Sequence, residues 1–266
     1  MQFILSADGL MFQTLIKYPP IEIPQAQTTF ISGDSGSGKS TLFKLFNATV
    51  SPSKGTILYQ GKNISAIDTV CLRREVLLAS QSVFLFDGTI RNNFAEFFKY
   101  RELAAIDESA INRFLHICCA YFPLDTACET LSGGERTRLS LAKLLLQKPD
   151  VLLMDEPTNH LDLNAIEWLQ NYLTDYKGTL LVVSHDRYFL DHVCDTMGEI
   201  LGGRLYKYTG NYTEYMRKRT ADFDARIKAF QLQQKEIDRE KAIIARYRSF
   251  NREKSIRAAE SRQKRL

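Results

Sequence analysis

The chain has 266 residues, 44% hydrophobic and 25% charged, the balance of a soluble protein with room for one large domain plus an extension. No run approaches the roughly 18–20 apolar residues that span a bilayer, and the start MQFILSADGL has neither a basic leader nor a cleavage pattern. These features argue against a membrane crossing or export signal in this sequence and for a cytoplasmic place. The net charge of +4 is unevenly spread. Residues 213–266 hold 16 Lys and Arg against 8 Asp and Glu, and the remainder 19 against 23, so the tail rather than the body suits a polyanion. The cysteines (Cys71, Cys118, Cys119, Cys128, Cys194) show no CxxC spacing and the histidines no metal-ligand spacing, so reduced, mostly buried thiols are expected.

In chain order, the first strong strand is TTFISG at 28–33. It runs into Gly33, Asp34, Ser35, Gly36, Ser37, Gly38, Lys39, Ser40 and Thr41, which fit GxxxxGK[ST] between a strand and the helical run KSTLFKLFNAT. Glycines there let backbone N–H groups turn inward as an anion nest at a helix N-terminus. Lys39 is placed to reach the β and γ phosphates of a nucleotide, and the Ser40 hydroxyl to ligate Mg²⁺. A strand follows at GTILYQG (55–61). Residues about 95–130 lack a strand signal and read as a helical subdomain. The run ERTRLSLAKLLLQ is helical, and DVLLMD (150–155) and GTLLVVSH (178–185) are strands. Alternating strands and helices argue for an α/β domain with a largely parallel sheet. The strand at 150–155 ends in paired carboxylates. Asp155 can hold Mg²⁺ through water and Glu156 can orient and deprotonate an attacking water, a division of labour that phosphoryl transfer calls for. From Tyr212 onward Gly and Pro disappear. Phe223, Ile227, Phe230, Ile237 and Ile244 then make one apolar stripe on a long helix, which stops at SRQKRL without a capping signal.

Leu131-Ser132-Gly133-Gly134-Glu135, taken with the cradle and DEPTNHLD, resembles the signature of ATP-binding cassette (ABC) proteins over about residues 1–210. The resemblance implies a P-loop NTPase cassette over 1–212, with a mostly parallel core sheet, an antiparallel β edge and the helical subdomain. A basic helical extension over 213–266 follows. It also implies that two cassettes, two copies or two chains, sandwich ATP and Mg²⁺ head to tail. Ser132, Gly133 and Gly134 then face the γ-phosphate held by the opposite cassette. By the same resemblance Gln81 matches the Q-loop glutamine that senses Mg²⁺ and the attacking water. Asp162 matches the aspartate that crosses the dimer seam, and His185 the switch histidine at the γ-phosphate. His116, His160 and His192 are assigned no catalytic role. Cassettes usually stack adenine on an aromatic upstream of the cradle. Thr14 stands at that place here, with Phe12 and Tyr18 as substitutes.

Two branches of the family are visible. QSVFLFDGTIRNN (81–93) resembles transporter-type cassettes, where the subdomain meets a separate membrane subunit. DEPTNHLD, with Asn159-His160, and SHDRYFLDHV resemble the ABC-F branch, whose members act on ribosomes. YTGNYTEYMRKR and the basic helix after it look like the end of a first ABC-F cassette and its linker. The resemblance implies contact of that linker with ribosomal RNA and tRNA. Arg246, Arg248, Arg252, Lys254, Arg257 and Arg262 are candidates for phosphates, Tyr247 and Phe250 for stacking. A natural hybrid, a fragment and a divergent single-cassette protein all fit this mixture.

Overall fold

The structure is a computed structural model and describes residues 2–34, 36–80, 83–159, 161–249 and 263. An alternating run makes β1 (Phe3–Phe12), followed by β2 (Ile16–Lys17) and β3 (Ile21–Pro24). β4 (Thr28–Gly33) then leads into α1 (Lys39–Phe46). β5 (Lys54–Tyr59) and β6 (Lys62–Asn63) precede α2 (Thr69–Glu75), which runs directly into β7 (Val76–Ala79). Three helices follow, α3 (Ile90–Tyr100), α4 (Glu108–Ile117) and α5 (Gly133–Leu145). The chain then alternates through β8 (Val151–Asp155), α6 (Leu163–Thr174), β9 (Thr179–Val183) and α7 (Arg187–Val193). It ends in the hairpin of β10 (Thr196–Leu201) and β11 (Arg204–Thr209) and the long helix α8 (Tyr212–Ser249).

Among the described residues the strands form two sheets. One is antiparallel: β1 pairs with β2, β3 and β5, and β5 with β6. The other runs β11-β10-β4-β9-β8-β7 and is parallel except for the β10–β11 hairpin. β8 and β9 are buried at every residue, as a parallel sheet covered on both faces requires. One apolar cluster joins the two sheets through Leu42, Phe43, Leu45 and Phe46 of α1. A second, around Ile90, Phe94, Ile111, Leu115 and Leu139, packs α3, α4 and α5 together.

The chain divides into two units, Met1–Tyr215 and Met216–Leu266. In the first, the start of α8 is held by Asp191, which accepts from the Thr213 backbone N–H (2.7 Å) and hydroxyl (2.6 Å). In the second, Phe223, Ile227 and Phe230 of the expected stripe are exposed. Arg246 is exposed as well. Phe250, Arg252, Lys254, Arg257 and Arg262 lie outside the described residues, as does the side chain of Arg248.

Candidate nucleotide site

β4, β9 and β8 are neighbours, so their carboxyl ends bring three loops together where parallel sheets carry ligands. After β4 the chain turns through Gly36 (φ 78°) and Gly38 (φ 88°), backbone angles that side chains resist. A β-carbon at Gly38 would also stand 2.6 Å from the Tyr18 hydroxyl and 3.0 Å from Ile16. Tyr18 donates that hydroxyl to the Gly38 carbonyl at 2.9 Å and so props the loop from below. Burial pushes its phenol up to about 12. The helix that follows is the exception among α1 to α7. Asp68, Thr89, Asp107, Ser132, Asp162 and Asp186 cap the other six with side-chain oxygens, whereas Gly38 gives α1 none. Its first-turn N–H groups are therefore left for an anion. Lys39 curls back over the loop, its ammonium donating to the carbonyls of Gly33 (2.8 Å) and Asp34 (3.0 Å). Charged phosphate oxygens are stronger acceptors than these neutral carbonyls. Ser37 turns its hydroxyl against Gly33, where an added β-carbon would meet it at 2.9 Å.

β8 delivers Asp155, 9% exposed, to the same place. Glu156 then leaves the strand in a left-handed conformation (φ 54°), with its N–H on the Val183 carbonyl at 2.8 Å. Its carboxylate meets the residue that ends the β9 loop. Oε2 accepts from the His185 backbone N–H at 3.2 Å, and Oε1 lies 3.3 Å from His185 Nε2. Burial pushes the Glu156 carboxyl above the usual carboxylate range and Asp155 adds to this, while His185 and Lys39 oppose it. Lys39, Ser40, Thr41, Asp155, Glu156 and His185 all line one cleft of about 470 Å³, together with Gly36 and Gly38. A hydroxyl and a carboxylate on one cleft wall are hard oxygen donors of the kind that hold Mg²⁺ beside a polyphosphate, so the donor set fits that ion.

A family model described as "ABC transporter" matches residues 18–159, and a second with the same description matches 199–266. The chain belongs to the ATP-binding cassette family. The cassette is 30% identical over 287 residues to the "Putative ATP-binding protein YdiF" of Bacillus subtilis, covering 95% of this chain and 44% of that one. It is 54% identical over 97 residues to the "Energy-dependent translational throttle protein EttA" of Mycobacterium tuberculosis, covering 36% of this chain and 17% of that protein. The cassette thus spans less than half the length of these relatives. Among solved structures, a bacterial Atm1-family ABC exporter with ATP bound superposes with a TM-score of 0.71 at 24% identity, over 84% of this chain and 42% of that one. The α/β fold expected from the sequence is the fold of ABC cassettes.

Other expected residues of the cassette stand away from the cleft wall. Ser132 caps α5 in a capping box: its oxygen accepts from Glu135 N–H at 3.4 Å, and its own N–H donates to the Glu135 carboxylate at 2.7 Å. Gly133 has open space where a β-carbon would stand. Gly134 continues the first turn of α5. Asp162 caps α6 through Ala165 N–H (2.9 Å) and pairs with Arg138 of α5 at 2.6 Å, tying the two helices within one chain. Ser35, Gln81 and His160 lie outside the described residues. The base side of the cleft departs from expectation. Tyr18 is 6% exposed and committed to Gly38, so it presents no free face, and Phe12 packs against the core. Ile16 lines the cleft instead. Asn159, which the motif reading treated only as a branch marker, lines it too. Its N–H donates to the Glu156 carbonyl at 3.2 Å, a turn contact invisible in the sequence.

Proposed function

We propose that this cassette binds and hydrolyses ATP at a head-to-tail pair of cassettes and that it works as an ABC-F-type factor on the ribosome. The convergence of Lys39, Ser40, Asp155, Glu156 and His185 on one cleft carries the chemical part of this reading. Lys39 and the uncapped N–H groups of α1 bind the β and γ phosphates. Ser40 and Asp155, with Gln81, hold Mg²⁺, which when bound neutralises phosphate charge and steadies the leaving oxygen. Glu156 accepts the proton of the water whose oxygen attacks the γ-phosphorus, as the bond from that phosphorus to the β–γ bridging oxygen breaks. ADP and phosphate leave. His185 steadies the Glu156 carboxylate and faces the γ-phosphate. Ser132, with the N–H groups of Gly133 and Gly134, completes the site of the opposing cassette, and Asp162 lies at the seam between the two.

The ribosomal part is supported by the likeness to EttA, a "translational throttle protein", and by the basic excess of residues 213–266. The 266-residue chain carrying Glu156→Gln, which binds ATP but hydrolyses it about 10²–10⁴-fold more slowly, is expected to sediment with ribosomes when ATP is present. Retention of that variant in the supernatant at low salt would reject the ribosomal role. A transporter subunit is the second reading, favoured by Phe84 inside the 81–93 segment, 69% exposed, and by Tyr100, 68% exposed and stacked on Phe86 of that segment. It predicts instead that the protein is retained on membranes only when a membrane subunit is co-expressed.

A further inference from the structure

The turn after β8 carries a side chain that the proposed chemistry leaves without a task. We infer that Asn159 is a catalytic residue that holds the attacking water together with Glu156; this rests on the hydrolytic reading above. Four observations carry it. First, Asn159 lines the nucleotide cleft alongside Glu156 and His185. Second, Asn159 also lines a separate chamber of about 30 Å³ behind the strand end, facing Thr137 and Ser140 of α5. That space has room for a water, which needs about 10–15 Å³, and hydroxyl-bearing residues on its wall.

Third, both oxygens of Glu156 already face His185, at 3.2 and 3.3 Å. A water touching this carboxylate is held at one point, and its line of attack needs a second. The Asn159 N–H donated to the Glu156 carbonyl ties the two residues into one turn, so both side chains come from a single rigid source. Fourth, the electrostatics select an amide. Asp155 and Glu156 already place two carboxylates where a polyanion must sit, so a third would repel it. A cation would pair with Glu156 and weaken it as a base. An amide accepts from the water through its oxygen and donates to a phosphate oxygen through its nitrogen, without adding charge.

The test is steady-state hydrolysis of MgATP by the 266-residue chain from about pH 5.5 to 9, with MgATP binding measured separately. Asn159→Ala is expected to lower kcat about 10²-fold while MgATP affinity changes little. Asn159→Asp, of nearly the same shape, keeps the turn and adds a charge. It is expected to raise KM for MgATP and to lower kcat, because a carboxylate cannot donate to a phosphate oxygen and repels the polyanion. Asn159→Gln should not restore kcat, since its longer arm displaces the amide. An unchanged kcat in both Asn159→Ala and Asn159→Asp, with Glu156→Gln inactive, would overturn the inference and leave the base assignment standing. So would a loss in Asn159→Ala confined to MgATP affinity. Should Asn159→Ala fail to fold, kcat of Asn159→Asp at saturating MgATP decides, a fall supporting the inference and an unchanged value overturning it. Full activity in Glu156→Gln would remove the base reading and this inference with it.

Discussion

At the residue scale, the pair Glu156–His185 decides how the site responds to pH. A base must be ionised to take a proton, and burial holds the Glu156 carboxyl above the usual carboxylate range. With Glu156 as the base proposed above, activity is expected to be lost as pH falls through that raised value, not through the value of a free glutamate. The His185 imidazole works in the opposite direction and makes ionisation easier. His185→Ala removes it and keeps the backbone N–H, so Glu156 should stay protonated to higher pH. The acid limb of the kcat profile is expected to move upward in that variant, in addition to any fall in kcat. On the other side of the cleft, Ile16 offers an aliphatic contact and no hydrogen bond to a base edge. Contacts of this kind discriminate weakly, so the dissociation constants for ATP and GTP are expected to differ by less than about 10²-fold, measured by competition for one fluorescent nucleotide.

At the element scale, α5 begins with the 132–134 donors and is anchored further along by a buried cation. Lys143 is 2% exposed, donates to Asn93 Oδ1 at 3.3 Å, and stands 5.6 Å from the ring centre of Phe86 and 5.2 Å from that of Phe97. Burial presses its ammonium down to about 8, with Cys128 acting weakly against this. An unfolded chain keeps that proton until about 10.4. Between these values the unfolded state holds a proton that the folded state has lost, so stability from this group rises with pH there and is lowest below about 8. Lys143→Met should abolish that rise, which urea unfolding at pH 7 and pH 10 would detect as a smaller difference in midpoint than in the parent protein. In the sequence this lysine reads as a solvent residue in LAKLLLQ, because only the fold brings Asn93 and two phenyl rings around it. The buried strands were legible for the contrary reason: VLLMD and TLLVV carry their burial in consecutive residues. The cradle was legible because GDSGSGKST is local. What sequence reading missed was made by chain segments meeting across space. Ile16 reaches the cleft because β2 lies beside Gly38, Tyr18 is withdrawn by its bond to that loop, and Asn159 is aimed by a left-handed turn at Glu156 that no motif announces. The antiparallel β edge came from family resemblance, since its pairings join residues as far apart as Leu5 and Tyr59.

At the scale of the whole molecule, charge is segregated along the chain. Residues 213–266 carry twice as many cations as anions, while the remainder is acidic on balance. If the tail meets RNA, affinity should fall steeply with salt as counterions are released. Arg246→Ala is expected to weaken ribosome or RNA binding about equally for all sequences and to reduce the slope of log affinity against log salt by about one, read from co-sedimentation across a salt series. The prop of Tyr18 under Gly38 has a consequence at this scale too. The aromatic nearest the cradle is spent on shaping the phosphate loop, which leaves the purine resting on an aliphatic surface. On the function proposed above, selection then falls mainly on the triphosphate, and the relative concentrations of purine triphosphates weigh as much as the identity of the base.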